Sequence, residues 1–111
     1  MEAEKIQVLR FQVRLPVLEI NGKPAPNVLV LDIGVDGARL ETDAPMANRY
    51  PVEFSLLLEK NEPPLKLFGQ VAWLRPLIEK PGFFHMGVSF LQPRWDLNQR
   101  FIKMAGLTEM T

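Results

Sequence analysis

The chain has 111 residues, 47% of them hydrophobic and 23% charged, which suits one folded domain and points to neither disorder nor a membrane class. Its 13 basic and 13 acidic side chains cancel, so the surface as a whole does not attract DNA or anionic lipid, and any anion site must be local. The lack of cysteine removes disulfides, thiolate metal sites and thiol nucleophiles together and suits a reducing compartment, with cytoplasm the expected location.

At the N-terminus, Met1–Gln7 carries Glu2, Glu4 and Lys5 and lacks the apolar run of a signal peptide. No later stretch approaches the roughly 20 apolar residues of a membrane-spanning helix, so neither membrane insertion nor export is expected. Residues 1–13 read as a flexible arm ending in Arg10-Phe11-Gln12-Val13-Arg14. In an extended segment, residues four apart project to the same side about 13 Å from each other. Arg10 and Arg14 therefore face one way, while Phe11 and Val13 face the other. Guanidinium forks match the paired acceptors of phosphate or of guanine, although two solvated arginines beside a strand are the plainer reading.

From Arg14 onward, short apolar runs alternate with turn residues, the pattern of a small barrel or sandwich. Six strands are predicted: Arg14–Ile20, Asn27–Asp32, Ala38–Thr42, Val52–Glu59, Leu65–Leu74 and Phe83–Phe90. Alternation puts Val52, Phe54, Leu56 and Leu58 on a core face. Leu65, Leu67, Val71 and Trp73 do the same, as do Phe84, Met86, Val88 and Phe90. Asn21-Gly22, Asn61–Pro64 and Pro81-Gly82 mark the turns, and such short links imply consecutive antiparallel strands. After Pro93 the period changes: Leu97, Phe101 and Met104 form a helical stripe, predicting a short helix over 94–106. Asp96 and Gln99 read as its capping box and Gly106 as its stop. A helix this short cannot persist alone in water, so it must dock on the sheet.

Nothing assembles into a catalytic centre. His85 is the only histidine and reads as a surface strand residue, while Ser55 and Ser89 are isolated strand residues with no base placed by sequence. Asp32, Asp36, Glu41 and Asp43 do not fit a calcium loop, because Gly34 occupies the second ligand position; they read as turn formers.

A second notable stretch is Asp32-Ile33-Gly34-Val35-Asp36-Gly37, between the second and third predicted strands. Two glycines three apart permit positive φ and close approach of a ligand to backbone N–H groups. Asp32 can accept hydrogen bonds from an N–H edge such as that of guanine. The plain alternative is a hairpin turned at Asp36-Gly37. No spacing argument brings Arg39, Arg75 or Arg94 to either stretch.

Together, R-x-x-x-R at Arg10 and Arg14 and D-x-G-x-x-G at Asp32–Gly37 resemble the paired signature of the PilZ family of bacterial cyclic di-GMP receptors, R-x-x-x-R followed by [DN]-x-S-x-x-G. Arg14-Leu15-Pro16 resembles the family's first strand, Gly37-Ala38-Arg39-Leu40 its third, and Met86–Leu91 its closing strand before a C-terminal helix. The resemblance implies an all-β fold, a six-stranded antiparallel barrel with a C-terminal helix. It also implies a cyclic di-GMP receptor or adaptor that signals to an unidentified protein partner without turnover, needs no cofactor and binds no nucleic acid. The ligand-binding residues it implies are Arg10, Arg14, Asp32, Gly34 and Gly37. Gly34 stands where the family has serine, and one lost neutral hydrogen bond costs about 0.5–1.5 kcal/mol, tenfold in affinity at most. The alternative it leaves open is a PilZ-like barrel with weak or no nucleotide binding that acts through protein contacts alone. A small nucleic-acid-binding barrel would need a basic face with exposed aromatics, which the even charge balance does not favour.

Overall fold

A computed structural model describes residues 9–109, with side chains described through residue 104. The last part of the predicted arm, Arg10–Val13, is not separate from the barrel. Residues 1–8 lie outside the described residues, and Arg10–Val13, expected to be flexible, form the first part of strand β1 (Arg10–Ile20). They are strand because they pair with β3, with Arg10 opposite Gly34 and Gln12 opposite Asp32.

The remaining elements are β2 (Lys23–Pro24), β3 (Leu29–Gly34), β4 (Gly37–Thr42), β5 (Pro51–Leu56), β6 (Leu65–Pro76), β7 (Phe84–Phe90) and α1 (Asp96–Glu109). All pairings are antiparallel in the order β2-β1-β3-β4-β7-β6-β5. Pairing of β1 with β5, Val17 opposite Leu56 and Ile20 opposite Phe54, closes the sheet. Six strands thus make a closed barrel with one C-terminal helix, the expected fold, and the two-residue β2 is an added edge. Closure removes the open edges that a small sheet would otherwise expose.

The core is what period-2 alternation dictates. Val30, Ile33, Leu40, Phe54, Leu56, Leu67 and Met86 are fully buried inside the barrel. Asn21 (φ 50°) and Gly22 (φ 81°) make the left-handed turn that asparagine tolerates and glycine, lacking a Cβ, adopts freely, and Gly82 (φ 88°) does so between β6 and β7. Alternation breaks at register shifts in β1, β3 and β6, and the last of these changes the site. Trp73 does not join Leu65, Leu67 and Val71 in the core, because the register shifts between Val71 and Trp73 and turns the indole outward, 38% exposed. An extra residue in a strand inverts every later position relative to a simple count.

The helix stripe docks as its spacing requires: Leu97 and Phe101 are buried, and Phe11 of β1 stacks on Phe101 with ring centroids 5.5 Å apart. Its ends differ from expectation. The helix starts at Asp96 and runs through Gly106 to Glu109. Nor does Asp96 cap it in the predicted way. Its two carboxylate oxygens each accept a hydrogen bond from Arg94 at 2.9 Å, which holds its pKa below the ordinary carboxylate value against the opposing effect of burial. Among the described residues, no helix is long and apolar enough to cross a membrane.

Candidate functional site

The outer face of the barrel carries a row of paired residues running across five strands. Register places Gln12 opposite Asp32, Asp32 opposite Arg39, Arg39 opposite Gly87 and Gly87 opposite Trp73. Directly paired antiparallel residues share a face, so the row gathers a carboxylate, a guanidinium and an indole on one surface.

Arg10 lies at one end of this surface. Its guanidinium donates to Asp32, to Asp36 Oδ1 at 2.8 Å and to the Gly37 carbonyl oxygen at 3.3 Å. Asp32, whose side chain is only 12% exposed, also lies 2.9 Å from Arg39 Nε through its other oxygen. That contact is an ion pair but lacks hydrogen-bond alignment, and it leaves the buried Arg39 Nε–H without an acceptor among the described residues. Beside this cluster the surface is hollowed into a depression.

That depression has a volume of about 210 Å³ and is walled by Arg10, Asp36, Arg39, Trp73, Gly87 and Ser89. Trp73 lies directly over Gly87, where any Cβ would collide with the indole. Arg75 sits over the same ring, 5.2 Å from its centroid. Larger hollows exist elsewhere, one of about 580 Å³ between α1 and the loop after β5. The arginines there are paired, as Arg10 and Arg39 are: Arg94 with Asp96, and Arg100 with Glu62 at 3.1 Å. What sets the smaller depression apart is the exposed indole of Trp73 beside its cations.

The structure brings Arg10, Asp32 and Gly37 together but keeps Arg14 outside the depression. Arg14 is exposed on the same side of β1 as Arg10, beyond Gln12 and within a register shift between Gln12 and Leu15. The two glycines of the turn also serve a different purpose from the one expected. Neither adopts positive φ, and the connection between β3 and β4 is Val35-Asp36 rather than Asp36-Gly37. Gly34 is required because a Cβ there would lie 2.5 Å from the Leu9 carbonyl oxygen and 2.9 Å from Arg10 Cδ. A Cβ at Gly37 would collide with the Val88 carbonyl of β7. The turn is held from outside, Phe90 N–H donating to the Asp36 carbonyl at 2.9 Å and Arg94 N–H to that of Val35 at 2.9 Å.

Arg39, Trp73 and Ser89 line the candidate site but do not emerge from the sequence motifs. Arg39 was accessible in principle, because a two-residue β3–β4 connection brings it next to Asp32. Trp73 was concealed by the register shift. Asp43 and Glu41, considered above as metal ligands, are engaged otherwise: Asp43 accepts from Asn27 at 3.0 Å, and Glu41 pairs with Lys80 at 2.7 Å.

The family model for the PilZ domain matches residues 5–104, most of the chain. The chain belongs to the PilZ family. No curated protein and no solved structure gives a significant match. PilZ domains are known generally as cyclic di-GMP-binding modules, acting as binding or adaptor domains and often on protein partners. In this PilZ domain the R-x-x-x-R segment is built into the barrel wall, and its first arginine is locked onto the carboxylates of the second motif.

Proposed function

We propose that this PilZ domain is a cytoplasmic cyclic di-GMP receptor that passes the binding event to a protein partner. The observation that carries this reading is Arg10, seated on Asp32 and Asp36 at the lip of a depression shared with Arg39 and Trp73. A ligand phosphate competes with the carboxylates for the Arg10 fork, exchanging one charge-assisted contact for another. Asp32, still paired with Arg39, then offers an acceptor to the N–H edge of a guanine, and Trp73 offers a stacking surface. Arg14 reaches the ligand from farther along β1, and the Gly34 and Gly37 backbone lines the approach.

The same strand supplies a route outward. Phe11 follows Arg10, faces the opposite side and stacks on Phe101 of α1, so a shift of β1 is transmitted to the helix. Ligand binding is expected to change amide hydrogen exchange over Asp96–Met104. In Phe11→Leu, which costs less than about 1.5 kcal/mol of stability, affinity is retained but the helix response falls away. An unchanged helix response in that variant rejects this route.

A second reading, an adaptor that binds protein alone, draws on Gly34. The absent serine hydroxyl cannot simply be restored, since Leu9 and Arg10 occupy its space. Gly34→Ser is therefore expected to lower affinity and to cost about 1–3 kcal/mol of stability by overpacking. Tighter binding at an unchanged melting temperature would show that β1 yields to the side chain. Isothermal titration with cyclic di-GMP separates the two functional readings. Micromolar or tighter binding fits the receptor. No heat and no thermal shift at about 100 micromolar ligand leaves the adaptor.

A further inference from the structure

Away from the Arg10 depression, the outer face over β5, β6 and the end of β7 carries an apolar patch. Tyr50 is 52% exposed, Phe68 51% and Leu91 70%. They are neighbours: Leu91 N–H donates to the Phe68 carbonyl at 3.3 Å, and the Tyr50 carbonyl accepts from Val71 on the same strand at 3.0 Å. Two adjoining hollows, of about 390 and 270 Å³, meet at Phe68 and Leu91, and Pro51 lines the larger. Clustered large apolar side chains on a rigid sheet mark an interaction surface.

Charge indicates the occupant. Beside the patch both signs of charge are present: Glu53, directly opposite Phe68, lies 3.6 Å from Nζ of Lys66, two residues before Phe68, and Arg94, which lines the smaller hollow, pairs with Asp96. A partner carrying a single sign of charge would oppose one of them. A second copy of this face opposes neither, because a two-fold axis lying diagonally in the plane of the face through Phe68 sets Glu53 of each copy over Lys66 of the other. The chain's net charge of zero also removes the long-range repulsion that keeps copies of charged proteins apart.

We propose that this face is a homodimer interface centred on Phe68 and Leu91, with reciprocal Glu53–Lys66 pairs at its rim. The inference does not depend on nucleotide binding, and its test is made without nucleotide. Sedimentation equilibrium of the full chain between about 5 and 500 micromolar should show a rise from monomer to dimer mass. Phe68→Glu and Leu91→Glu, each at a side chain half or more exposed, should remain monomeric with an unchanged circular dichroism spectrum. Glu53→Lys or Lys66→Glu alone should weaken association about tenfold, and the two together should restore it. A chain that stays monomeric throughout overturns the proposal. So does a dimer that survives both glutamate substitutions, or a double charge reversal that fails to rescue association.

Discussion

Arg14→Ala is expected to weaken cyclic di-GMP binding about 10- to 100-fold at an unchanged melting temperature, the loss of one or two charge-assisted hydrogen bonds to the ligand. Arg10→Ala is expected to weaken binding to a similar degree but also to lower the melting temperature by about 5 °C. The two arginines differ because the fold uses only one of them. Arg14 is exposed and has no ion-pair partner among the described residues, so its removal leaves the free protein intact. Arg10 is held by Asp32 and Asp36, and truncating it strands Asp32 with Arg39 as its one remaining cation. Because the Arg10 side chain is itself 40% exposed, that loss is worth about 1 kcal/mol rather than the several of a buried pair. Titration and thermal melting of both single variants check the contrast. Wild-type affinity in Arg14→Ala removes that residue from the site. Wild-type affinity in both variants moves the nucleotide site away from both arginines, whereas only a wild-type chain that binds no nucleotide leaves the adaptor.

What could be read from the sequence was local and periodic. Asn21-Gly22 specified its own turn, Val52, Phe54 and Leu56 specified a core-facing strand, and Leu97 and Phe101 specified the helix face that docks. What escaped depended on partners far along the chain. Arg10–Val13 have no intrinsic reason to be strand rather than arm; they become strand because β3 presents a free edge and Gly34 lets the backbones approach. Asp96 has the right spacing for a capping box, yet the guanidinium two residues before it takes both oxygens, a competition that helix rules do not weigh. The candidate site divides in the same way. Its two motifs were visible as short patterns, but their direct contact through Arg10, and the addition of Arg39, are consequences of strand register.

Trp73 is the residue for which register matters most, and it sets the second large expectation. Its indole lies on Gly87 because β7 offers no Cβ there, leaving the ring beside Arg39 and Ser89 at the depression. If a guanine stacks on that ring, Trp73→Ala should weaken cyclic di-GMP binding by about 1–3 kcal/mol, roughly 5- to 150-fold. Because the ring is on the surface and not in the core, stability should fall by far less than the 3–5 kcal/mol of a buried aromatic truncation. Gly87→Val probes the geometry with the indole still present. A side chain at position 87 forces the ring off its seat, so affinity should drop nearly as far as in the alanine variant, although every polar ligand contact remains. Titration of both variants, with melting curves as the control for folding, decides the matter. A Gly87→Val domain that binds normally shows that the ligand does not use the seated ring, whereas parallel losses in the two variants fix the indole's position, and not merely its presence, as a determinant of affinity.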